Sequence, residues 1–174
     1  MNFTKGKLPG VWIVDLIVRG EERTSLTKVF DVNLFAAQGL NTIWRQHLTT
    51  YTADKGTIRG MHWQADPYPE TKLIRCTRGK IFDVLVDVRD DSPTHGHWES
   101  YELSSERPQA LYAPAGYAHG LQTLEPDTEM SYLISSEYHQ DLQRGFRWND
   151  PEVGIEWPLK KLHLSERDHN LPQL

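Results

Sequence analysis

The feature that most constrains this chain is a succession of short runs rich in β-branched and aromatic residues, each closed by a turn signal: VWIVDLIV, TIWRQHL, TIRGMHW, KLIRCT, KIFDVLVDV, WESYELS, ALYAP and MSYLISS. That spacing reads as a β-sandwich or jelly roll. Ile81 to Val88 is apolar on both faces except at Asp83 and Asp87, as expected of a central strand, and Thr77-Arg78-Gly79-Lys80 ahead of it reads as a hairpin turn. Asp, Ser and Pro cluster in Asp90–Thr94, which reads as a loop. Helical signals are few: Asp31-Val32-Asn33 before Leu34-Phe35-Ala36-Ala37 opens one short helix, and Ser165-Glu166-Arg167-Asp168 opens another near the C-terminus. The expected architecture is all-β.

A chain of 174 residues fits one domain spanning 1–174, long enough to bury a core without staples. With 19 Lys+Arg against 24 Asp+Glu, the net charge of -5 leaves no footprint for nucleic acid or an anionic membrane, although a local basic pocket could still hold phosphates. The single cysteine, Cys76, sits in the apolar run LIRC and reads as a buried structural thiol, which suits a reducing cytosol. MNFTKGKLPG has two lysines but no apolar run behind them, and no window approaches transmembrane length, so the expectation is a soluble cytoplasmic protein. Six Trp, seven Tyr and five Phe suit a sandwich core and could also furnish stacking surfaces for a base or a sugar ring.

Two segments stand out chemically. RGMHWQ (59–64) and PAGYAHG (114–120) each set a histidine close to glycine in a strand-and-turn context, His62 in one and His119 in the other. With Gly56 ahead of His62, and Pro114 and Gly116 ahead of His119, they resemble the paired motifs of the cupin superfamily, whose fold is a double-stranded β-helix or jelly roll. Metal-binding cupins continue the first motif as His-x-His and then a Glu. Here Gln64 holds the second place and Glu70 is the nearby carboxylate, so the expectation is a cupin without a catalytic metal. His95 and His97 form a His-x-His pair in a loop with no third ligand at suitable spacing, and read as exposed and uncommitted. His47, His139 and His163 have no local partner that raises them above ordinary polar residues.

RGMHWQ, ETKLIRCTRGKIFDVLVDVRDDSPT, YELSSE, YAPAGYAHG, WNDPEVGIEWP and LSERD, taken in order from about Thr57 to the C-terminus, resemble the successive signatures of the dTDP-4-dehydrorhamnose 3,5-epimerase family. The resemblance implies a jelly-roll homodimer that needs no metal or organic cofactor. It implies that His62 is the catalytic base, Asp168 the carboxylate that orients it, Lys72 the lysine beside the keto oxygen and Tyr132 the opposing acid. Arg59 and His119 would line the sugar and phosphate pocket, with Tyr138 near the nucleotide. In the N-terminal quarter the chain departs from the family: Asp-x-Arg-Gly becomes Glu21-Glu22-Arg23-Thr24, which keeps Arg23 as a phosphate contact. Lys28 stands where a glutamate is common, a Gln-x-Asn-x-Ser stretch becomes Gln46-His47-Leu48-Thr49-Thr50, retaining Gln46 in the binding set, and Gln143 replaces a frequent glutamate.

The residue types also make sense without the family. Inverting a carbon next to a ketone needs a base on one face of the ring and an acid on the other, places suited to His62 and Tyr132. A carboxylate such as Asp168 fixes the tautomer of the base and stabilises its imidazolium, and Lys72 supplies positive charge for the enolate oxygen. The expected substrate is a nucleotide-linked 4-keto-6-deoxy sugar, carried on dTDP by default, with CDP or GDP as alternatives and inversion at C3, C5 or both. Two readings from other classes stay open: a metal-dependent cupin oxygenase and a non-catalytic sugar-binding jelly roll.

Overall fold

Thirteen strands pair into three antiparallel sheets in a computed structural model that describes residues 1–21, 23–160 and 163–174, leaving Glu22 outside the described residues. The six-stranded sheet runs in the order β1 (Asn2–Lys5), β2 (Trp12–Asp15), β10 (Gln109–Ala113), β7 (Lys72–Arg78), β12 (Thr128–Ile134) and β5 (Gln46–Thr52). The five-stranded sheet runs β13 (Gln143–Gly145), β6 (Ile58–Gln64), β11 (Tyr117–Thr123), β8 (Lys80–Asp87) and β9 (Trp98–Ser104). A separate hairpin joins β3 (Val18–Glu21) to β4 (Thr24–Thr27). The two large sheets face each other across one core, giving the expected jelly roll.

The apolar pattern of β8 has a direct cause. Ile81 and Leu85 pack between the sheets with Ile74, Cys76, Leu111 and Leu121, whereas Val84 and Val86 pack outward against Phe146 and Val153 of the C-terminal segment. Both faces of the strand are therefore covered, and each large apolar side chain so buried contributes about 1.5–3 kcal/mol. Asp83 and Asp87 share the inward face with Ile81 and Leu85 by the two-residue period of a strand, and both are fully buried. Cys76 lies in the inner core, and burial pushes its thiol up to about 11, as a structural cysteine requires.

The outer face of the six-stranded sheet is closed by helix α1 (Val32–Ala37). Six residues are too few to hold a helix in water. Asp31 caps it by accepting from the backbone N–H groups of Asn33 and Leu34, and Phe35, its one buried residue, meets Phe3, Phe30 and Tyr112 at ring-centroid distances of 5.3, 4.9 and 6.4 Å. Helix α2 (Glu166–His169) is a single turn capped by Ser165. No helix among the described residues is long and apolar enough to cross a membrane.

Three local expectations need correction. Thr77–Lys80 does form a tight turn at Gly79 (φ +74°), but β7 and β8 belong to opposite sheets, so the turn crosses between layers and is not a hairpin. VWIVDLIV is broken between Asp15 and Val18, after which the chain leaves the sheet to build β3 and β4. In TIWRQHL the strand begins only at Gln46.

Candidate active site

His62 lies on β6 directly opposite His119 on β11, so both imidazoles project from one face of the five-stranded sheet. Close backbone approach makes this possible. Gly60 has φ +127°, and a Cβ there would fall 2.6 Å from Gly120 Cα, so only glycine lets the two strands meet at this point. The Gly60 N–H donates to Asp168 Oδ2 at 3.2 Å, while His62 Nε2 meets Asp168 Oδ1 at 2.8 Å. Asp168 sits in the first turn of α2, where its own N–H donates to the capping Ser165 hydroxyl at 3.0 Å. Burial opposes ionisation of Asp168, yet the bond and charge of His62, with help from the Gly60 N–H, hold its pKa below the usual carboxylate value. A buried carboxylate that stays ionised beside a half-exposed imidazole is what orients a general base.

His119 carries a carboxylate of its own: its Nε2 lies 2.8 Å from Asp83 Oδ2. Burial pushes Asp83 upward in spite of the opposing charges of His119 and Lys72, and its Oδ1 is buried without a hydrogen-bond partner. From the facing sheet, the ring of Tyr132 stands edge-on to His119 with centroids 6.0 Å apart. Burial first, and then the charge of Asp83, raise the Tyr132 pKa, so the phenol holds its proton at neutral pH; the charge of Arg59 acts in the opposite sense. Lys72, at the start of β7, pairs with Glu70 at 3.3 Å, both side chains largely buried. The two histidine–carboxylate pairs thus face each other on β6 and β11, with Tyr132 against His119 from the other sheet, the charge of Lys72 acting on Asp83 and that of Arg59 on Tyr132.

The remaining expected residues are placed differently. Gln46 donates its amide to the Ser136 carbonyl at 2.7 Å, bracing the segment that leads to Tyr138. Tyr138 itself is 58% exposed. Arg23 is exposed at the turn of the β3–β4 hairpin, which pairs with neither large sheet. Gln64 is buried, and its oxygen accepts from both the His139 N–H and the Gln143 side chain, so neither lone pair is left for a metal. Among the described residues no group of three or more His, Cys, Asp or Glu is arranged to hold a metal ion, and His95 and His97 are exposed.

Sequence reasoning missed three residues of this cluster. Asp83 showed itself only as a charge inside an apolar strand, and a buried charge of that kind calls for a partner that the sequence does not identify. In sequence Glu70 is only the carboxylate near the first histidine motif, and in the fold it is the counter-ion of Lys72. His139, set aside as an ordinary polar residue, stacks on Tyr68 with ring centroids 4.2 Å apart and planes 11° apart.

Similarity to known proteins runs along nearly the whole chain. The profile of the dTDP-4-dehydrorhamnose 3,5-epimerase family matches residues 5–174. A dTDP-4-dehydrorhamnose 3,5-epimerase of Sinorhizobium fredii is 43% identical over 156 residues, covering 89% of this chain and 80% of that protein. The crystal structure of the Bacillus anthracis dTDP-4-dehydrorhamnose 3,5-epimerase with TDP and PPi bound superposes with a TM-score of 0.96 at 35% identity, covering 99% of each chain. The Legionella pneumophila dTDP-6-deoxy-D-glucose-3,5-epimerase, in complex with dTDP-4-keto-L-rhamnose, gives 0.93 at 28% identity, covering 99% of this chain and 92% of that one. By sequence and by fold, this chain belongs to the dTDP-4-dehydrorhamnose 3,5-epimerase family.

Proposed function

We propose that this protein epimerises a nucleotide-linked 4-keto-6-deoxy sugar, dTDP-4-dehydro-6-deoxyglucose in the first instance, at C3 and C5. The observation that carries this reading is the pairing of His62 with an ionised Asp168 on one sheet and a protonated Tyr132 on the other. His62 takes the proton from the carbon beside the ketone, and the electron pair moves onto the keto oxygen as an enolate. Lys72 and His119 are the proposed donors and positive charge that steady that oxygen. Tyr132 returns a proton to the opposite face, its phenolate is then reprotonated from solvent, and the His62 imidazolium releases the proton it took to solvent. The sugar gains and loses one proton at each inverted carbon, with no net redox change, and side chains supply every group that the transfer needs.

Arg59, Arg23 and Tyr138 are the proposed phosphate and base contacts, the arginines through paired N–H donors and the tyrosine through its exposed ring. A homodimer belongs to the same reading. The hairpin carrying Arg23 pairs with neither large sheet and leaves Leu26 71% exposed, and β5 offers an open sheet edge on which Leu48 and Tyr51 are exposed. A second copy would cover both surfaces and could bring Arg23 to the site of its partner. A cytoplasmic location accords with the free buried thiol of Cys76.

The deciding experiment is incubation with dTDP-4-keto-6-deoxyglucose in heavy water, with the deuterium located by NMR. Label and inversion at both C3 and C5 are expected. Label at one carbon would mean a mono-epimerase, and absence of label with dTDP-, CDP- and GDP-linked substrates alike would refute the epimerase reading.

A further inference from the structure

Gln64 stands two residues beyond His62 on β6, in the place where metal-binding cupins carry their second ligand, and it is only 2% exposed. A primary amide has two N–H donors and two acceptor lone pairs, and here all four are used. Nε2 donates to the carbonyls of Tyr68 and Glu137, at 2.5 and 2.9 Å, while Oε1 accepts from the His139 N–H and from Gln143 Nε2, each at 2.8 Å. The three backbone partners settle which end of the amide is which, because a carbonyl can only accept and a peptide N–H can only donate. Gln143, the register partner of Gln64 on β13, must therefore present its NH2 group; a glutamate at 143 would set a carboxylate against the Gln64 oxygen.

Two of these bonds flank Tyr138, one at the carbonyl of Glu137 and the other at the N–H of His139. The neighbouring backbone is tied down as well, since Gln46 holds the Ser136 carbonyl and the Ser135 hydroxyl accepts from the Thr71 N–H. The Tyr68–His139 stack joins the same two loops a second time. The backbone around Tyr138 is thus fixed from both sides, while its ring is largely free.

We propose that Gln64 is a positioning residue that holds Tyr138 in place beside the sugar site, so that the old metal-ligand position now serves substrate binding. This rests on the reading of Tyr138 as a nucleotide contact given above. The geometry makes Gln64 act through the loop and not on the reacting carbon.

Gln64→Glu is the informative variant, because it keeps the shape and turns an oxygen toward the two carbonyls that need a donor. In the unliganded variant, amide hydrogen exchange across residues 135–143 should speed up by about tenfold or more while β8 and β11 keep wild-type protection. The Kd for TDP should rise by about tenfold, a loss of about 1.4 kcal/mol, with the rate of substrate proton exchange at saturation nearly unchanged. Tyr138→Ala should weaken TDP to a similar degree, and the double variant should bind no more weakly than the worse single one. Wild-type exchange across 135–143, or losses that multiply in the double variant, would overturn the proposal. Unchanged TDP binding in Tyr138→Ala would remove both the Tyr138 contact and the positioning role. A wild-type protein that exchanges no substrate proton would overturn the epimerase reading instead, since the amide-exchange result tests the hold on the loop without any substrate.

Discussion

Asp168 and Asp83 each bind the Nε2 of a histidine at 2.8 Å, and the two histidines face each other across neighbouring strands, yet the two carboxylates are driven in opposite directions. Asp168 is lowered, with the Gly60 N–H on its second oxygen, whereas Asp83, wholly buried with an unpartnered oxygen, is raised. Environments that push two like groups apart assign them different work. Asp168→Asn should lower kcat by about 10²-fold or more, though by less than removal of His62 itself, because an amide steadies neither the tautomer nor the imidazolium of His62. Asp83→Asn, which keeps an oxygen for His119 while removing a charge that burial already opposes, should cost about tenfold or less. Steady-state kinetics on the two variants, side by side, checks this, and equal losses would show that the two pairs are equivalent.

His62→Ala and Tyr132→Phe should part the two halves of the proton transfer. Without the base, both deuterium uptake and inversion should fall by about 10²–10⁴-fold. Without the acid, His62 can still remove and return a proton on its own face, so uptake should persist while inversion falls. NMR of substrate in heavy water reads both at once, and normal inversion by Tyr132→Phe would mean that another group is the acid.

Asp87 should set part of the acid sensitivity of the fold. Although its burial opposes ionisation, bonds from Arg89, Ser92 and Thr94 hold its pKa below the ordinary 3.8. The stabilisation is therefore complete above the unfolded-state value and is lost as the pH falls through the lower native one. Asp87→Asn should reduce the free energy of unfolding at pH 7 by about 1.5–3 kcal/mol, the scale of hydrogen bonds to a charged group. Urea titrations repeated at decreasing pH should show the gap from wild type narrowing once the pH falls below 3.8.

Gly60→Ala should damage fold and activity together. The new methyl would press on Gly120 Cα from a backbone conformation that alanine rarely adopts, a strain of about 1–3 kcal/mol before any repacking. Because the Gly60 N–H also binds Asp168, thermal melts and turnover should fall in the same variant. A variant with full activity and a wild-type melting temperature would show that β6 and β11 tolerate separation here.

The strands and the jelly roll were legible because their apolar patterning is local and each buried face leaves its mark at every second residue. Partners were less so. Nothing in Thr77–Lys80 says that β7 and β8 part to opposite sheets, since a turn specifies its own backbone and not the ladders on either side of it. Ordered motifs pointed to His62, Lys72, Tyr132 and Asp168, and the fold brings Asp168 to His62 and sets Tyr132 against His119, the register partner of His62. The buried charge at Asp83 could be seen, but its histidine lies 36 residues away, and only the register of β8 with β11 joins them. Arg23 sits on a hairpin that pairs with neither large sheet, so the strand register that joins the histidines does not bring it to them.

The pairing of His62 with Asp168 spans 106 residues of sequence. A ribosome makes His62 early and Asp168 more than a hundred residues later, so a nascent chain can build much of both sheets while its histidine still lacks the carboxylate it bonds in the finished fold. Assembly of the strands and acquisition of chemistry are therefore separate events in the life of the molecule. An unfinished product of synthesis, however well folded, should leave the nucleotide-sugar pool untouched.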